Sequence, residues 1–358
     1  MSKKYVVHII PYFASIVSGP SHSVWNLFDK TADISYEIWA LDWGNNAREN
    51  ERIRFFKKIF WWRLGFSIEY IKAIRQLMKD KNAIIHNHGM WMIQSLFPLF
   101  VREVKATIIQ SPRGALSPLA MKQGGLLKRM FWILLQRRAL KKVNYFHATS
   151  LAEKYDIEKL GFKQKIKTIP NGVEVRDIEV YRESNKYIYL GRFHIEKNLE
   201  MLLDCWSEFD GNNILDLYGE GNSSEIAHLL AKIKERKLRN VRINPPVFGK
   251  EKLKHLASSR ALLFPSLSEN FAIVIAEALS VGTPVICTLG TPWKEIHMKA
   301  GYCVKGFPAD FTKAIKDIVS LGDTEYQKYS MNARRLIEMN YTWDKIAVTY
   351  IRWIYDEM

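Results

Sequence analysis

The sequence contains few cysteines and no long apolar stretch, and both absences exclude whole classes of protein. Cys205, Cys287 and Cys303 are the only cysteines among 358 residues, and they lack the close spacing of a metal site. Their odd number and apolar neighbours predict reduced thiols in the protein core and a reducing compartment. No apolar run is long enough to span a bilayer, and residues 2–10 lack the apolar core of a signal peptide.

Repeats and a dinucleotide-binding motif are also missing. No segment is of low complexity or repeats with a short period, and no GxGxxG follows a predicted strand. The second absence argues against a nicotinamide-dependent dehydrogenase. What remains is ordinary globular composition, with 47% hydrophobic and 25% charged residues, in a chain whose length suits two domains.

Positive charge is confined to the first half of the chain. The net charge is +16, and residues 1–171 hold 28 Lys and Arg against 12 Asp and Glu, whereas the remainder holds 25 of each. Two segments, 52–81 and 122–142, mix this charge with Trp and Phe. Such a mixture fits an anionic membrane surface, where each basic side chain near the lipid contributes about 1 kcal/mol. The alternatives are nucleic acid, for which no recognisable motif is present, and a solvated basic face over a buried apolar one.

Short apolar runs alternate with helical patterns along the whole chain. Strands are predicted at 5–10, 36–41, 83–86, 106–110, 145–148, 167–169, 186–190, 214–218, 241–243, 261–264 and 284–287. Helices are predicted at 21–29, 67–79, 91–102, 126–141, 150–160, 199–208, 224–235, 250–257, 272–280 and 311–321. This alternation predicts parallel, doubly wound sheets, and the turn at 170–172 separates two Rossmann-like domains.

In such sheets the ligand binds at the carboxyl ends of the strands, and the second half of the chain places unusual residues there. Arg192 and Lys197 follow one strand and suit a diphosphate, although two solvated cations would look the same in sequence. Gly219 marks a turn after the next strand. The loop 245–249 around Val247 offers apolar atoms and backbone groups to a planar base.

The most informative stretch is 266–286, where a strand, an acidic loop and an apolar helix follow one another. Glu269 in the loop and Glu277 in the helix are spaced so that both reach one ligand over the helix N-terminus. Backbone N–H groups of Asn270, Phe271 and Ala272 add donors. Two acceptors beside several donors suit a sugar, whereas a capping Glu and a solvated Glu are the alternative interpretation.

The first half offers fewer candidates. Gly19 lies in the loop before a helix, where phosphate or sugar binds readily. His88 is predicted to project from the end of the strand 83–86 into the site. Arg113, at another strand end, either binds an anion or pairs with a carboxylate. Ser150 is interpreted as a helix N-cap, and Glu153 as its partner in a capping box.

Taken in order, these motifs resemble the retaining GT-B glycosyltransferases, in particular glycosyltransferase family 4. The resemblance rests on Gly-Pro-Ser at 19–21, HNHG at 86–89, SPRGALSP at 111–118, HATS at 147–150, IPNGV at 169–173, GRFHIEKN at 191–198, PSLSENF at 265–271 with Glu277, GTPVI at 282–286, TPW at 291–293 and YTW at 341–343. These motifs span nearly the whole chain.

The resemblance implies a GT-B fold of two Rossmann-like domains facing a central cleft. Residues 1–172 would bind the acceptor, residues 186–340 the nucleotide sugar, and 341–358 would cross back to the first domain. Arg192 and Lys197 would hold the diphosphate of a UDP- or GDP-sugar, and Glu277 the ribose.

Further roles follow from the same resemblance. Glu269 and the backbone of 270–272 would contact the donor sugar, Gly19 would approach the phosphates, and His88 would lie near the reacting centre. Ala272 departs from the glycine of many relatives. No DxD motif is present, so no metal is expected. A donor site in the neutral half, joined to a basic and aromatic half that can dock on lipid, predicts a cytoplasmic, membrane-associated enzyme that extends a lipid-linked saccharide. An epimerase, a phosphorylase or a non-enzymatic basic binding module are the alternatives.

Overall fold

The computed structural model divides the chain into two compact units. The N-terminal unit comprises residues 1–172 and 343–358, and the C-terminal unit comprises residues 173–342. The structure describes residues 4–11, 13, 19–30, 35–43, 51–59, 65–180, 182–209 and 211–358. Each unit is built on its own parallel sheet, as the alternation of strands and helices predicts.

The N-terminal unit contains seven parallel strands. They are β1 Tyr5–Ile10, β2 Ser35–Asp42, β3 Ile53–Lys57, β4 Ala83–His88, β5 Thr107–Ser111, β6 Tyr145–Ala148 and β7 Lys165–Thr168. Their spatial order is β3-β2-β1-β4-β5-β6-β7. The connections therefore change direction between β1 and β4, which makes this pair the topological switch point of the sheet.

Alternate residues of these strands point to opposite faces, and each face carries its own core. Val7 and Ile85 belong to the core on one face. Val6 and Ile84 belong to the core on the other face, which also contains Trp353 from the final helix. Because both faces are covered, the central strands are apolar on both sides, as is typical of parallel sheets.

Helical segments connect these strands. They are α1 Gly19–Asp29, α2 Ile68–Leu77, a 3-10 helix Ile93–Leu99, α3 Pro118–Lys122, α4 Gly125–Phe131, a π-helical turn Trp132–Gln136, α5 Arg137–Leu140 and α6 Leu151–Lys159. The segment 91–102, predicted as an α-helix, is a shorter 3-10 helix with Pro98 inside it. Proline lacks the N–H that an α-helix needs at this position.

The C-terminal unit contains six parallel strands in the order β10-β9-β8-β11-β12-β13. They are β8 Lys186–Leu190, β9 Ile214–Tyr218, β10 Val241–Asn244, β11 Ala261–Phe264, β12 Val285–Thr288 and β13 Gly301–Val304. The helical segments are a 3-10 turn Ile195–Lys197, α7 Leu199–Trp206, α8 Ser223–Glu235, α9 Gly249–Ser258, α10 Ile273–Ser280, a 3-10 turn Lys294–Ile296, α11 Pro308–Ser320 and α12 Asp323–Asn340. The last helix, α13 Trp343–Asp356, belongs to the N-terminal unit.

The predicted fold class is confirmed, although β3, β13, α3 and α12 are not predicted by the sequence. Strand β3 was hidden in the basic segment 52–81 because charged residues interrupt its apolar ones. Phe56 of β3 packs in the core with Tyr70 and Ile74 of α2, so these three side chains do not face a membrane. Residues 60–64, which include Trp61 and Trp62, lie outside the described residues.

The prediction for the cysteines agrees with the structure. Cys205, Cys287 and Cys303 are all buried and free, which confirms that they are core thiols. Within the described ranges, no helix combines the length and apolarity that crossing a bilayer requires.

Candidate active site

Four loops at the carboxyl edge of the C-terminal sheet carry the residues predicted to bind a nucleotide sugar. Arg192 follows β8, Gly219 follows β9, Val247 follows β10 and Glu269 follows β11. Strands β8 and β11 are neighbours although they are not consecutive, so the switch point of this sheet lies between them. Loops beside a switch point are where open α/β sheets bind their ligands.

Lys197 and Glu269 meet across this switch point. Lys197 Nζ and Glu269 Oε1 form an ion pair, and Ser266 Oγ donates to the same carboxylate oxygen over 2.7 Å. The Glu269 amide donates to the Gly290 carbonyl over 2.8 Å, which fixes the loop. Each side chain of the pair keeps 14% of its surface exposed, so the pair is shielded but reachable. The structure therefore brings together Lys197, which is predicted to bind phosphate, and Glu269, which is predicted to bind the sugar.

Arg192 lies in the same neighbourhood and is exposed. Its carbonyl accepts a 2.9 Å hydrogen bond from the hydroxyl of Tyr189. Burial raises the pKa of Tyr189 well above its usual value, the Glu269 carboxylate raises that pKa further, and the Arg192 guanidinium lowers it. One buried hydroxyl therefore feels both charges. No described residue accepts a hydrogen bond from the Arg192 guanidinium, which leaves it available to a ligand.

Glu277 pairs with a lysine other than the one that pairs with Glu269, and the sequence does not reveal this partner. The carboxylate is buried on α10 and pairs with Lys252 Nζ of α9 at 2.5 Å. The loop around Val247 leads directly into α9, and Val247 itself is half-buried against the C-terminal core. The loop predicted to hold the base therefore leads into α9, and α9 also carries the partner of Glu277, the residue predicted to bind the ribose. Lys252 was missed because it looks like one of several solvated lysines in the first turns of α9.

Gly219 is required for packing between two loops. A Cβ atom built on Gly219 would lie 1.9 Å from the carbonyl oxygen of Gly191. Gly191 N–H in turn donates to the Tyr218 carbonyl over 3.1 Å. Since no side chain fits at Gly219, the loops after β8 and β9 touch backbone to backbone. The glycine locks the Arg192 loop in place.

Helix α10 begins one residue later than predicted, at Ile273. Ala272 is its N-cap and adopts a left-handed conformation, with φ 57° and ψ 70°. Phe271 packs against Trp293, whose Nε1 donates to the Phe271 carbonyl over 2.6 Å. The free N–H groups of a helix belong to its first turn, so the turn that starts at Ile273 adds donors to those predicted on 270–272.

In the N-terminal unit, His88 is the last residue of β4 and is buried. Strand β4 continues to His88, and the side chain has no exposed surface. The prediction that the strand ends at His86 and leaves His88 in an open site is therefore wrong. Both histidines point to the same face as His8 of β1, which lies opposite His86 in the sheet.

Arg113 fixes the tautomer of His88. A guanidinium has only donors, so the 3.0 Å contact from Arg113 Nη2 makes His88 Nδ1 an acceptor. His88 Nε2 then carries the proton and donates to His8 Nδ1 over 2.9 Å. His88 has both ring nitrogens occupied, and it links the Arg113 side chain to the switch point between β1 and β4.

A second chain of hydrogen bonds runs beside the first. His147 Nε2 donates to the Ile169 carbonyl over 2.8 Å, so its Nδ1 accepts from Ser111 Oγ at 2.9 Å. Ser111 Oγ then accepts from His86 Nε2 over 2.8 Å, and His86 Nδ1 accepts from the Tyr350 hydroxyl over 2.7 Å. Tyr350 comes from α13. Every bond in both chains is satisfied when all four histidines are neutral.

Burial keeps these histidines neutral. Together with the smaller effect of the neighbouring Arg113 charge, it lowers the pKa of His8 and of His147 to about 3. Burial also holds the pKa values of His86 and His88 well below the usual range, with the neighbouring histidines as the next cause. A charged imidazolium would lack both water and an acceptor here.

The turn that presents Arg113 is strained and pinned. Arg113 has φ 57° and Gly114 has φ 81°, two left-handed residues in succession. Gly114 N–H donates to the Glu153 carboxylate over 2.7 Å, and Thr149 N–H donates to the same carboxylate over 2.7 Å. Ser150 caps α6 as predicted, but Glu153 bonds Thr149 and Gly114 rather than closing a capping box. A strained bulky residue of this kind is typical of functional sites.

Two further candidates concern phosphate and metal binding. Gly19 is the first residue of α1, and residues 14–18 before it lie outside the described ranges. One nitrogen each of His8, His86 and His88 lies within 4.8 Å of the others, a spacing that admits a metal ion. However, the His8–His88 hydrogen bond uses two of the nitrogens and Arg113 opposes a second cation. The geometry favours a neutral hydrogen-bonded cluster.

Comparison with known families assigns both halves of the chain. The family described as Glycosyltransferase Family 4 matches residues 29–177, and the family described as Glycosyl transferases group 1 matches residues 173–336. The chain is a GT-B glycosyltransferase of family 4. The order of motifs from Gly19 to Trp343 therefore led to the right family.

Individual relatives are distant. D-rhamnosyltransferase WbpZ of Pseudomonas aeruginosa is 24% identical over 70% of this chain and 68% of its own length. The capsular polysaccharide biosynthesis glycosyltransferase CapH of Staphylococcus aureus is 24% identical over 81% of each chain. The crystal structure of Anabaena Alr3699/HepE with UDP and glucose shares the fold, with a TM-score of 0.76 and 14% identity over 98% of this chain and 99% of the other.

Proposed function

We propose that this glycosyltransferase transfers a sugar, with retention of anomeric configuration, from a UDP- or GDP-sugar to a lipid-linked saccharide. The observation that carries the proposal is the Lys197–Glu269 pair beside Arg192 at the switch point of the C-terminal sheet. The name of CapH supports a role in cell-envelope polysaccharide biosynthesis, such as O-antigen, capsule or exopolysaccharide, and the name of WbpZ supports transfer of a sugar. HepE, which shares the fold, binds UDP and glucose.

Each donor-site residue has a chemical role in this proposal. Arg192 and Lys197 bind the diphosphate, whose negative charge increases as it departs. Glu269 accepts hydrogen bonds from sugar hydroxyls. When the donor binds, Lys197 turns partly to the diphosphate, and the Glu269 carboxylate becomes available to the sugar. Glu277, held by Lys252, accepts from the ribose. The first turn of α10 directs N–H groups and a positive dipole end at the same ligand.

The proposed reaction is a front-face displacement. The bond between the anomeric carbon and the diphosphate oxygen breaks, and the acceptor hydroxyl oxygen forms the new bond on the same face. The acceptor proton moves to the departing phosphate oxygen. Because Arg192 and Lys197 stabilise that leaving group, we expect transfer to persist in EDTA without added metal.

His88 acts indirectly in this scheme. Its side chain is fully buried and both nitrogens are hydrogen-bonded, so we propose that it positions Arg113 rather than touching the acceptor. Arg113 is partly exposed and is the acceptor-binding residue.

Nucleotide binding tests the donor site. We expect either UDP or GDP, but not ADP or CMP, to raise the melting temperature of the full chain. Arg192→Ala removes a charge-assisted hydrogen bond worth about 1.5–3 kcal/mol, which weakens nucleotide binding about ten- to hundredfold. Arg242→Ala, at an exposed position on β10, is the matched control. Equal affinity of both variants would rule out the assignment of Arg192.

Product analysis separates the alternatives. A transferase needs an acceptor and releases a free nucleoside diphosphate, whereas an epimerase converts the sugar nucleotide without an acceptor and a phosphorylase consumes phosphate. A basic binding module instead predicts salt-sensitive binding of nucleic acid and no affinity for nucleotide sugars.

We also propose that the enzyme is cytoplasmic and docks on the inner face of the membrane through an amphipathic surface, residues 122–142. Exposed apolar side chains follow one another at helical spacing on α4 and the π-helical turn: Leu126, Leu127, Met130, Ile133, Leu134 and Leu135. Exposure reaches 72% at Leu126 and 83% at Leu127. Arg129, Arg137 and Arg138 are exposed beside them. An apolar stripe flanked by cations fits an anionic lipid surface.

Liposome flotation tests this surface. We expect the full chain to float with vesicles that contain phosphatidylglycerol and to remain in solution with phosphatidylcholine alone. Leu127→Asp should abolish flotation, whereas Leu230→Asp, at an exposed leucine on α8, should leave it unchanged. Flotation of the Leu127→Asp protein would remove this surface from the proposal.

A further inference from the structure

Arg113 is a partly buried charge whose hydrogen-bond partners are all neutral. Its Nη1 donates to Asn171 Oδ1 over 2.8 Å and its Nη2 donates to His88 Nδ1 over 3.0 Å. Its Nε is buried and has no partner among the described residues. A guanidinium carries five N–H donors, so most of its capacity is unused. Buried cations are normally paired with an anion, yet no carboxylate of the described residues contacts this guanidinium.

The nearest carboxylate is already engaged. Glu153 accepts from the N–H groups of Gly114 and Thr149 and from Thr149 Oγ1. These bonds fix the turn that presents Arg113. Burial lowers the pKa of Arg113 to about 10 although the Glu153 charge acts in the opposite direction, which shows that the charge remains undercompensated.

The position of Arg113 is that of a ligand-binding group. It follows β5 at the carboxyl edge of the N-terminal sheet, next to β4 and one strand from the switch point between β1 and β4. The residue keeps part of its surface exposed, so a ligand reaches it. The backbone at Arg113 is strained in the left-handed conformation, and hydrogen bonds to His88 and Asn171 hold the side chain in place. An ordinary surface arginine requires neither feature.

We propose that Arg113 forms an anion-binding subsite of the N-terminal unit and that the acceptor carries a phosphoryl or carboxylate group that occupies it. The acceptor part of this inference rests on the proposed function, whereas anion binding itself does not. A diphosphate that joins the saccharide to its lipid and the carboxylate of an acidic sugar offer the same planar acceptor oxygens to a guanidinium.

The full chain allows the two units to be observed separately. Cys205, Cys287 and Cys303 lie in the C-terminal unit, so their labelling reports only the unfolding of that unit. Of the 11 tryptophans, only Trp206 and Trp293 lie in the C-terminal unit, so fluorescence reports mainly the N-terminal unit. Inorganic phosphate, pyrophosphate and glucuronate serve as probes. An Arg192→Ala background removes one of the two phosphate-binding side chains proposed for the donor site.

We expect at least one probe to raise the fluorescence midpoint of urea unfolding saturably, without raising the thiol-labelling midpoint. A shift of this midpoint by phosphate or pyrophosphate alone indicates that the subsite binds a phosphoryl group. A shift by glucuronate indicates that it binds an acidic sugar. Arg113→Gln should abolish the effect, and Arg113→Lys should weaken it about tenfold or more because the planar fork is lost. No effect of any probe, or an equal effect on the Arg113→Gln protein, would overturn the proposal.

A designed counter-ion keeps the test decisive if the Arg113 variants fold poorly. Asn171→Asp places a carboxylate within 2.8 Å of Arg113 Nη1, where the wild-type amide oxygen lies. We expect this variant to raise the fluorescence midpoint without any probe and to lose the response to anions. If it still responds like the wild type, anions bind elsewhere. Nucleotide binding to the donor site, measured through thiol labelling, should not change, which separates this inference from the proposed function.

Discussion

Mild acid should destabilise the N-terminal unit far more than the C-terminal unit. The N-terminal sheet buries His8, His86, His88 and His147, and each has a pKa below that of an exposed histidine. In the unfolded chain these side chains take up protons near pH 6.5. In the folded state the same side chains stay neutral, because no acceptor or water is available to stabilise a charged imidazolium. Stability is therefore complete above about pH 6.5 and is lost as the pH falls towards 3.

The magnitude follows from the two histidines whose pKa values are about 3. With an unfolded pKa of about 6.5, each loses about 2 kcal/mol of stability between pH 7 and pH 5. His8 and His147 together therefore remove about 4 kcal/mol, and His86 and His88 act in the same direction. This is a large part of the 5–15 kcal/mol that typically stabilises a domain. Burial raises the pKa of Glu153, which works against the histidines only at lower pH.

Urea unfolding at pH 7, 6 and 5 measures this effect. Tryptophan fluorescence follows the N-terminal unit, and labelling with a dithiodipyridine, which reacts in acid, follows the cysteines of the C-terminal unit. The fluorescence midpoint should fall steeply between pH 6 and pH 5 while the thiol midpoint changes little. His147→Gln keeps one donor and one acceptor for Ile169 and Ser111 but cannot titrate, so its pH dependence should be shallower. Equal midpoints at pH 7 and pH 5, or a parallel fall in both units, would refute the assignment of neutral buried histidines.

Three further substitutions test the C-terminal unit. Lys252→Ala leaves the buried Glu277 carboxylate without its cation and should cost about 2 kcal/mol or more in urea unfolding. Gly219→Ala forces a methyl group against the Gly191 carbonyl and should cost about 3 kcal/mol or prevent folding, as judged by the yield of soluble protein. Ala272→Gly removes the left-handed strain at the start of α10 and should raise stability by up to about 1 kcal/mol, measured by the same unfolding transition.

Each of these changes has a control that differs in one respect. Lys254→Ala removes an exposed pair with Glu251 on the same helix and should cost less than about 0.5 kcal/mol. Gly211→Ala adds a Cβ where no atom lies within 4 Å and should be nearly neutral. Ala276→Gly, inside α10, should destabilise the protein because glycine is a poor helix former. Equal effects in a variant and its control would contradict the contact, clash or strain to which the effect of that variant is attributed.

The candidate site of the C-terminal unit was predictable from sequence because its polar residues lie on loops. Glycines, cations and carboxylates at strand ends stand out against apolar strands, so Arg192, Lys197 and Glu269 were found together. Lys252 was not, because a lysine on an amphipathic helix gives no sign of which carboxylate it meets. Pairing of Glu277 with a second helix depends on tertiary packing, and a single sequence contains no record of that packing.

The polar cluster of the N-terminal unit was less predictable because its residues are buried inside strands. His8 and His147 look like ordinary strand residues, and the two chains of hydrogen bonds to which they belong exist only when four strands lie side by side. Strand β3 was missed for a related reason, since alternating charge and aromatic residues at a sheet edge are also typical of a membrane-binding segment. Phe56 faces the core, and the sequence alone did not separate it from its exposed neighbours.

The position of α13 in the chain has a consequence for biosynthesis. The hydroxyl of Tyr350 completes the hydrogen bonding of His86, yet α13 is made only after the whole C-terminal unit. On the ribosome, the C-terminal unit therefore has every residue of its sheet before the N-terminal sheet receives the helix that covers one face. The N-terminal unit is therefore translated first but completed last. Until α13 is made, the apolar sheet face that α13 covers stays exposed and is a target for chaperones.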